Sequence, residues 1–191
     1  NYTETVATLL KDINDKDKLL QMQADEGWSA LTFAAKHNHT AMATVLLDSA
    51  NDKDALQKIK TINGATALMI ASISGNIPII NFLMSAAKNK DEIIQQKSND
   101  GSTALIYALQ AGNTEAAITI LNAANDKGSL VRQQNQEKFS ALMLAAELGY
   151  RPIVNAILQS VNDKDELAQM QNNHGMNALM LATKKGHVET E

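Results

Sequence analysis

The side chains best suited to chemistry here are four histidines, His37, His39, His174 and His187, and a set of acidic runs. A zinc site needs three or four ligands at tetrahedral spacing, and acid–base work needs a second group within hydrogen-bond reach of the first. His37 and His174 stand in different parts of the chain, without a carboxylate or second histidine at ligand spacing. The runs Asn14-Asp15-Lys16-Asp17, Asn51-Asp52-Lys53-Asp54 and Asn162-Asp163-Lys164-Asp165 gather carboxylates. They lack the alternating oxygen ligands and closing glutamate of a calcium loop, and fit better as helix N-caps. No His-Glu-x-x-His, phosphate-binding loop or Gly-x-Ser-x-Gly occurs. The absence of cysteine excludes disulfides and thiolate metal sites. Asn1-Tyr2-Thr3 and Asn38-His39-Thr40 match the glycosylation acceptor, which in a cysteine-free chain reads as coincidence. The expectation is therefore no active site, no metal and no cofactor.

Composition points the same way. The 191 residues are 45% apolar, enough for a core, and carry a net charge of −4. Arg132 and Arg151 are the only arginines, so a nucleic-acid surface built from clustered bases is not expected. No apolar run approaches the roughly 18–20 residues that span a bilayer. Neither nucleic acid nor membrane is an expected partner, and the cytosol is the default location.

The positions that dominate the chain are periodic. Glycines stand at Gly27, Gly64, Gly101 and Gly175, with Lys138 in the missing slot, and at Gly75, Gly112, Gly149 and Gly186, with Asn38 in the missing slot; every step is 37 residues. Only Gly128 of the nine glycines stands outside these series, so the period is that of a repeat architecture. The register places a partial unit at 1–26, full units at 27–63, 64–100, 101–137 and 138–174, and a partial unit at 175–191.

Each unit reads as helices with defined ends. Ser29, Thr66, Thr103, Ser140 and Asn177 are N-caps, each followed by Ala-Leu and an alanine-rich helix. The second glycine series closes that helix in left-handed conformation, and Asn38 is the natural substitute there. A second helix follows, opened by Pro78 and Pro152 in two units. Methionines such as Met42, Met69, Met84 and Met143 sit at core positions. One helix pair cannot bury its apolar face alone, so the units must stack.

The stretch 27–47, GWSALTFAAKHNHTAMATVLL, resembles the ankyrin repeat, with its glycine, variable residue, Thr-Pro-Leu-His, paired alanines, Gly-His and leucine-ending second helix. The resemblance continues through GATALMIASISGNIPIINFLM and its later copies, over nearly the whole chain. It implies an all-α solenoid of four full and two partial repeats. Alanine replaces the family's proline at Ala30, Ala67, Ala104, Ala141 and Ala178. The family's histidine becomes Thr32, Met69, Ile106, Met143 and Met180, so its hydrogen bond to the cap hydroxyl is expected to be lost. His39 and His187 hold the Gly-His position, where a structural hydrogen bond is expected. The repeat is about four residues longer than the usual 33. The extra length falls in the acidic run, read as a cap and a third short helical turn, with Leu19, Leu56, Ile93, Leu130 or Leu167 tucked under the stack. The shape of the fingers between repeats stays open.

The resemblance also implies a binding face. Family members hold protein partners on the concave side, through the residue after the first glycine, the two before it and the end of the first helix. By register these include Trp28, Phe139 and Met176, then Lys36, His37, Ile73, Gln110, Glu147 and Leu148. Trp28, Phe139 and Met176 are either anchors for a partner or lids over their own fingers. Long repeats with Ala-Leu-Met for Pro-Leu-His are similar to those of ankyrin proteins in intracellular bacteria, secreted effectors included. The expectation is a monomeric protein-interaction module belonging to a longer protein. The rivals are a self-associating structural segment and the regulatory part of an enzyme whose catalytic residues lie elsewhere.

Overall fold

The computed structural model describes residues 2–186. His187 of the Gly-His position and Asn1 of the first acceptor sequence therefore lie outside the described residues. Helices α1 (Tyr2–Lys11) and α2 (Lys16–Gln21) come first, followed by three helices per unit. These are α3 (Ala30–Lys36), α4 (Thr40–Ser49) and α5 (Lys53–Gln57); α6 (Ala67–Ser74), α7 (Ile77–Ala86) and α8 (Lys90–Ile94); α9 (Ala104–Gln110), α10 (Thr114–Ala123) and α11 (Lys127–Arg132); and α12 (Ala141–Glu147), α13 (Arg151–Gln159) and α14 (Lys164–Gln169). α15 (Ala178–Lys185) is the last. No strand occurs among the described residues, only the isolated bridges Gln23–Ser29 and Gln134–Ser140.

The caps act as the residue types require. Ser29, Thr66, Thr103, Ser140 and Asn177 each accept the third backbone N–H of their helix, at 2.9 to 3.5 Å. Each is worth about 1 kcal/mol. The histidine's bond to the cap hydroxyl has a counterpart in unit 27–63, where Thr32 Oγ1 and Ser29 Oγ lie 3.3 Å apart, and the cap's backbone N–H finds a side-chain acceptor in units 27–63 and 64–100. Thr32 Oγ1 accepts the Ser29 N–H at 2.8 Å, and the Met69 sulfur accepts the Thr66 N–H at 3.4 Å. A hydroxyl or thioether at that height reaches the same donor.

Left-handed backbone falls on both glycine series and on the residues filling their gaps, Asn38 at φ 56° and Lys138 at φ 59°. Gly64 shows why glycine dominates one series: a Cβ there would lie 2.5 Å from the Asn99 backbone nitrogen of the next finger.

The inner helices α3, α6, α9, α12 and α15 pack side by side, and the outer helices back them. Ala34, Ala71, Ala108, Ala145 and Ala182 are buried at one position of every inner helix, which permits close approach. Buried residues from all units join one core that runs the length of the stack. Met69, Met84 and Met143 lie inside it and Met42 packs against it.

The acidic run forms a third turn, as its residues predict. Asp15, Asp52, Asn89, Asp126 and Asp163 cap α2, α5, α8, α11 and α14. The run has a second role. Asp17, Asp54 and Asp91 accept the backbone N–H of Asn51, Lys88 and Asn125 in the following unit, at 2.9, 3.1 and 2.8 Å. Gly128 occupies that slot once and has no carboxylate to offer. The tucked apolar residue is buried at Leu56, Ile93, Leu130 and Leu167. Leu19 departs from this: it is 39% exposed while Leu20 is 2% exposed.

His39 also departs from expectation. It precedes α4 without a side-chain capping bond and is exposed. The bridge between units at its register position is made by amides instead. Asn76 Nδ2 donates to the Ala35 carbonyl at 2.7 Å, and Asn113 Nδ2 to those of Ser72 and Ile73 at 3.0 and 2.7 Å.

Candidate functional site

Between each third turn and the next inner helix, the chain turns back on itself in a finger. Each finger closes with a backbone bond from Ala24 to Trp28, Thr61 to Ala65, Ser98 to Ser102, Asn135 to Phe139 and Asn172 to Met176, and a second returns from Gly27, Gly64, Gly101, Lys138 and Gly175 to the carbonyls of Ala24, Thr61, Ser98, Asn135 and Asn172, all at 2.8 to 3.1 Å. The repeat's extra length therefore leaves the finger intact. Neighbouring fingers join where the N–H of Ile62, Asn99, Gln136 and Asn173 donates to the carbonyl of Glu26, Asn63, Asp100 and Glu137. The result is a rigid ribbon beside the inner helices.

Side-chain amides reinforce it. Asn99, Gln136 and Asn173 each donate to the backbone carbonyl of the matching residue one unit earlier, at 2.8, 2.7 and 3.0 Å. Ile62 occupies the same column and breaks the series. It has no amide to give, and its side chain is 69% exposed.

Ile62 lines a groove of about 240 Å³ together with Glu26, Trp28, Thr61, Asn63, Ala65, Ile70, Ile73 and Tyr107. These residues come from two neighbouring fingers and the inner helices α6 and α9. The Trp28 ring stacks on Phe33, centroids 5.2 Å apart, and the Lys36 ammonium lies 4.9 Å from its centre. Trp28 is thus half-buried and fixed by its own unit, yet still lines the groove. Ile73 is 41% exposed.

Tyr107 and the third finger form a polar cluster beside it. The Asp100 carboxylate accepts from the Ser98 hydroxyl, from the Ser102 hydroxyl at 2.9 Å and backbone at 3.1 Å, and from the Tyr107 hydroxyl at 3.2 Å. Burial alone would raise the Asp100 carboxyl, but these donors together hold it below its ordinary value. Burial pushes the Tyr107 phenol up, and the neighbouring carboxylate adds to this.

The remaining residues expected to bind are scattered. Gln110 is exposed at the end of α9, and His37 follows α3 with its ring 5.9 Å from that of His39. Glu147 pairs with Lys185 at 3.7 Å. Leu148 is exposed, whereas Phe139 and Met176 are half-buried against the core. None of these lines the groove around Trp28. Of the expected set, the structure brings together Trp28 and Ile73, with Lys36 over the ring. Glu26 and Ile62, pre-glycine positions of the expected face, line it as well, whereas Ile70 and Tyr107 were missed. A signal for Tyr107 existed: it shares a column with Phe33, Ile70, Leu144 and Leu181, and it alone there is polar. Among the described residues, no three of His, Cys, Asp and Glu converge as metal ligands would, and no helix is long and apolar enough to cross a membrane.

The comparisons with known proteins agree with this arrangement. The family model of ankyrin repeats (three copies) matches residues 1–94, 57–130, 88–166 and 127–190. No curated protein matches the sequence. The crystal structure of EF0377, an ankyrin repeat protein, is similar with a TM-score of 0.80 and 22% identity, covering 98% of this chain and 88% of that one. At that identity the likeness speaks for the fold alone. Ankyrin repeats are in general protein-interaction modules and non-catalytic scaffolds. With the family model spanning almost every residue, and caps, fingers and stacked helix pairs recurring at one period, the chain belongs to the ankyrin repeat family.

Proposed function

We propose that this chain recognises a protein partner through the groove on its finger-and-inner-helix side, the concave face in the family. The observation that carries this reading is Ile62. In a column where the following three units use an amide to bind the finger before them, the second unit gives up that bond. It exposes an apolar side chain beside Trp28 and Ile73 instead. Neither change helps the fold, and both help a partner that covers the groove. The ribbon and stack are already formed, so little ordering cost accompanies docking.

On this reading Trp28, Ile73 and Lys36 are contact residues. His37, Gln110, Phe139, Glu147, Leu148 and Met176 extend the contact along units 27–63, 64–100, 101–137 and 138–174. The chain acts as a monomer. The likeness of its Ala-Leu-Met repeats to ankyrin proteins of intracellular bacteria supports a targeting role within a secreted effector acting in a host cytosol.

The test is site-specific photocrosslinking in cell lysate, with the crosslinker at Ile73 or at Asn81, which is exposed on outer helix α7. A partner joined from position 73 and not from 81 is the expected result. Equal labelling from both positions would remove the groove from the account.

A further inference from the structure

The charge around the groove narrows the chemistry of what fits it. On the finger side, Asp25 and Glu26 are exposed, and neither carboxylate takes part in an ion pair among the described residues. Asp100 adds a third carboxylate in the finger two units on, fixed in place by Ser98, Ser102 and Tyr107. Lys36 adjoins the groove as well, its ammonium 4.9 Å from the centre of the Trp28 ring. The groove is therefore lined mainly by apolar side chains, with Thr61, Asn63 and one carboxylate, Glu26, on its finger rim, in a chain of net charge −4.

We propose that the groove takes a peptide segment in which a bulky apolar side chain stands next to lysine or arginine. The apolar group enters between Trp28, Ile62 and Ile73, and the base faces Glu26 on the finger rim. This rests on the groove reading above and goes beyond it in naming the occupant. Three features select it. A volume of about 240 Å³ holds one large side chain and not a helix. An anionic segment would bring its charge against Glu26, a repulsion strongest where the partner excludes water. A neutral apolar segment would leave Glu26 partly desolvated without a counter-charge.

The experiment selects binders from a phage-displayed library of random dodecapeptides on the whole chain, then measures synthetic copies of the winners by calorimetry. The expected winners carry Phe, Leu, Ile or Met beside Lys or Arg. Ile73→Asp should abolish their binding, and Glu26→Lys should weaken it at least about tenfold. Raising the salt should weaken binding to the original chain, because rim charges are screened. Circular dichroism of both variants should match the original, since both positions are exposed. Winners that depend on Ile73 but are acidic or uncharged would overturn the proposed occupant while leaving the groove as a binding site. Winners indifferent to Ile73→Asp, or no winners, would overturn both.

Discussion

Replacing Ile62 by asparagine should make the protein more stable and a worse binder. Asn99, Gln136 and Asn173 each donate an amide to the carbonyl of their column one unit earlier, at 2.7 to 3.0 Å. An asparagine at 62 would meet the Asp25 carbonyl in the same way. A hydrogen bond nets about 0.5–1.5 kcal/mol, and exposure places this one at about 0.5–1 kcal/mol. For a chain of this size that raises Tm by roughly 1–4 °C. The opposite effect falls on binding. Full burial of an isoleucine side chain is worth about 1.5–3 kcal/mol. With 69% of Ile62 open, a partner covering it gains about 1–2 kcal/mol, a roughly 5- to 30-fold change in Kd. Thermal melts by circular dichroism give the first quantity, and calorimetry with a selected peptide gives the second. A variant that melts lower, or binds as well as the original, would refute the reasoning that Ile62 gives up stability for recognition.

Other outcomes follow from the same geometry. Gly128→Asp should supply the missing carboxylate to the next unit, as Asp54 and Asp91 do. A Cβ there meets the flexible end of Arg132 at 3.2 Å and the Asp126 carboxylate in ordinary contact at 3.6 Å. The gain should be about 1–2 kcal/mol from the staple, the helix dipole and the loss of glycine, and Gly128→Ala should gain less. If alanine equals aspartate in thermal melts, the carboxylate contributes nothing. Lys138→Gly should add about 0.5–1 kcal/mol, because φ 59° strains a lysine and suits a glycine; a lower melting temperature would contradict this. Tyr107→Phe should move the Asp100 titration, followed by carboxyl NMR, back up toward 3.8 by removing a donor to the charged form. Because the folded value is depressed, the stabilisation from Asp100 is complete above that ordinary value and lost as pH falls through the folded one. An unchanged titration would mean that Tyr107 does not hold the charge.

The architecture was legible because each structural demand repeats in the same residue type. Left-handed turns ask for glycine in every unit, and the two gaps, Asn38 and Lys138, sit in left-handed backbone as the register requires. Caps and third turns were readable for the same reason. The groove was less so. Periodicity assigns a residue to a column but does not say which members of that column a neighbour covers. Leu19 and Leu56 share a column, yet one is 39% exposed and the other 2%, because coverage depends on what packs beside them. Phe139 and Trp28 also share one, and only Trp28 has Ile62, Ile73 and Tyr107 beside it. The value of Ile62 emerges only once the amide ladder it interrupts is seen. The contact between the Thr32 and Ser29 hydroxyls shows the converse error, since an interaction can outlast the residue type that usually makes it.

The most direct test uses Trp28, the single tryptophan in the chain. Its emission reports on the groove without labelling. When a partner or selected peptide is titrated in, the emission should shift to the blue and acrylamide quenching should fall in step with the binding isotherm from calorimetry. Saturable binding that leaves Trp28 emission and quenching unchanged would place the contact elsewhere and contradict the account.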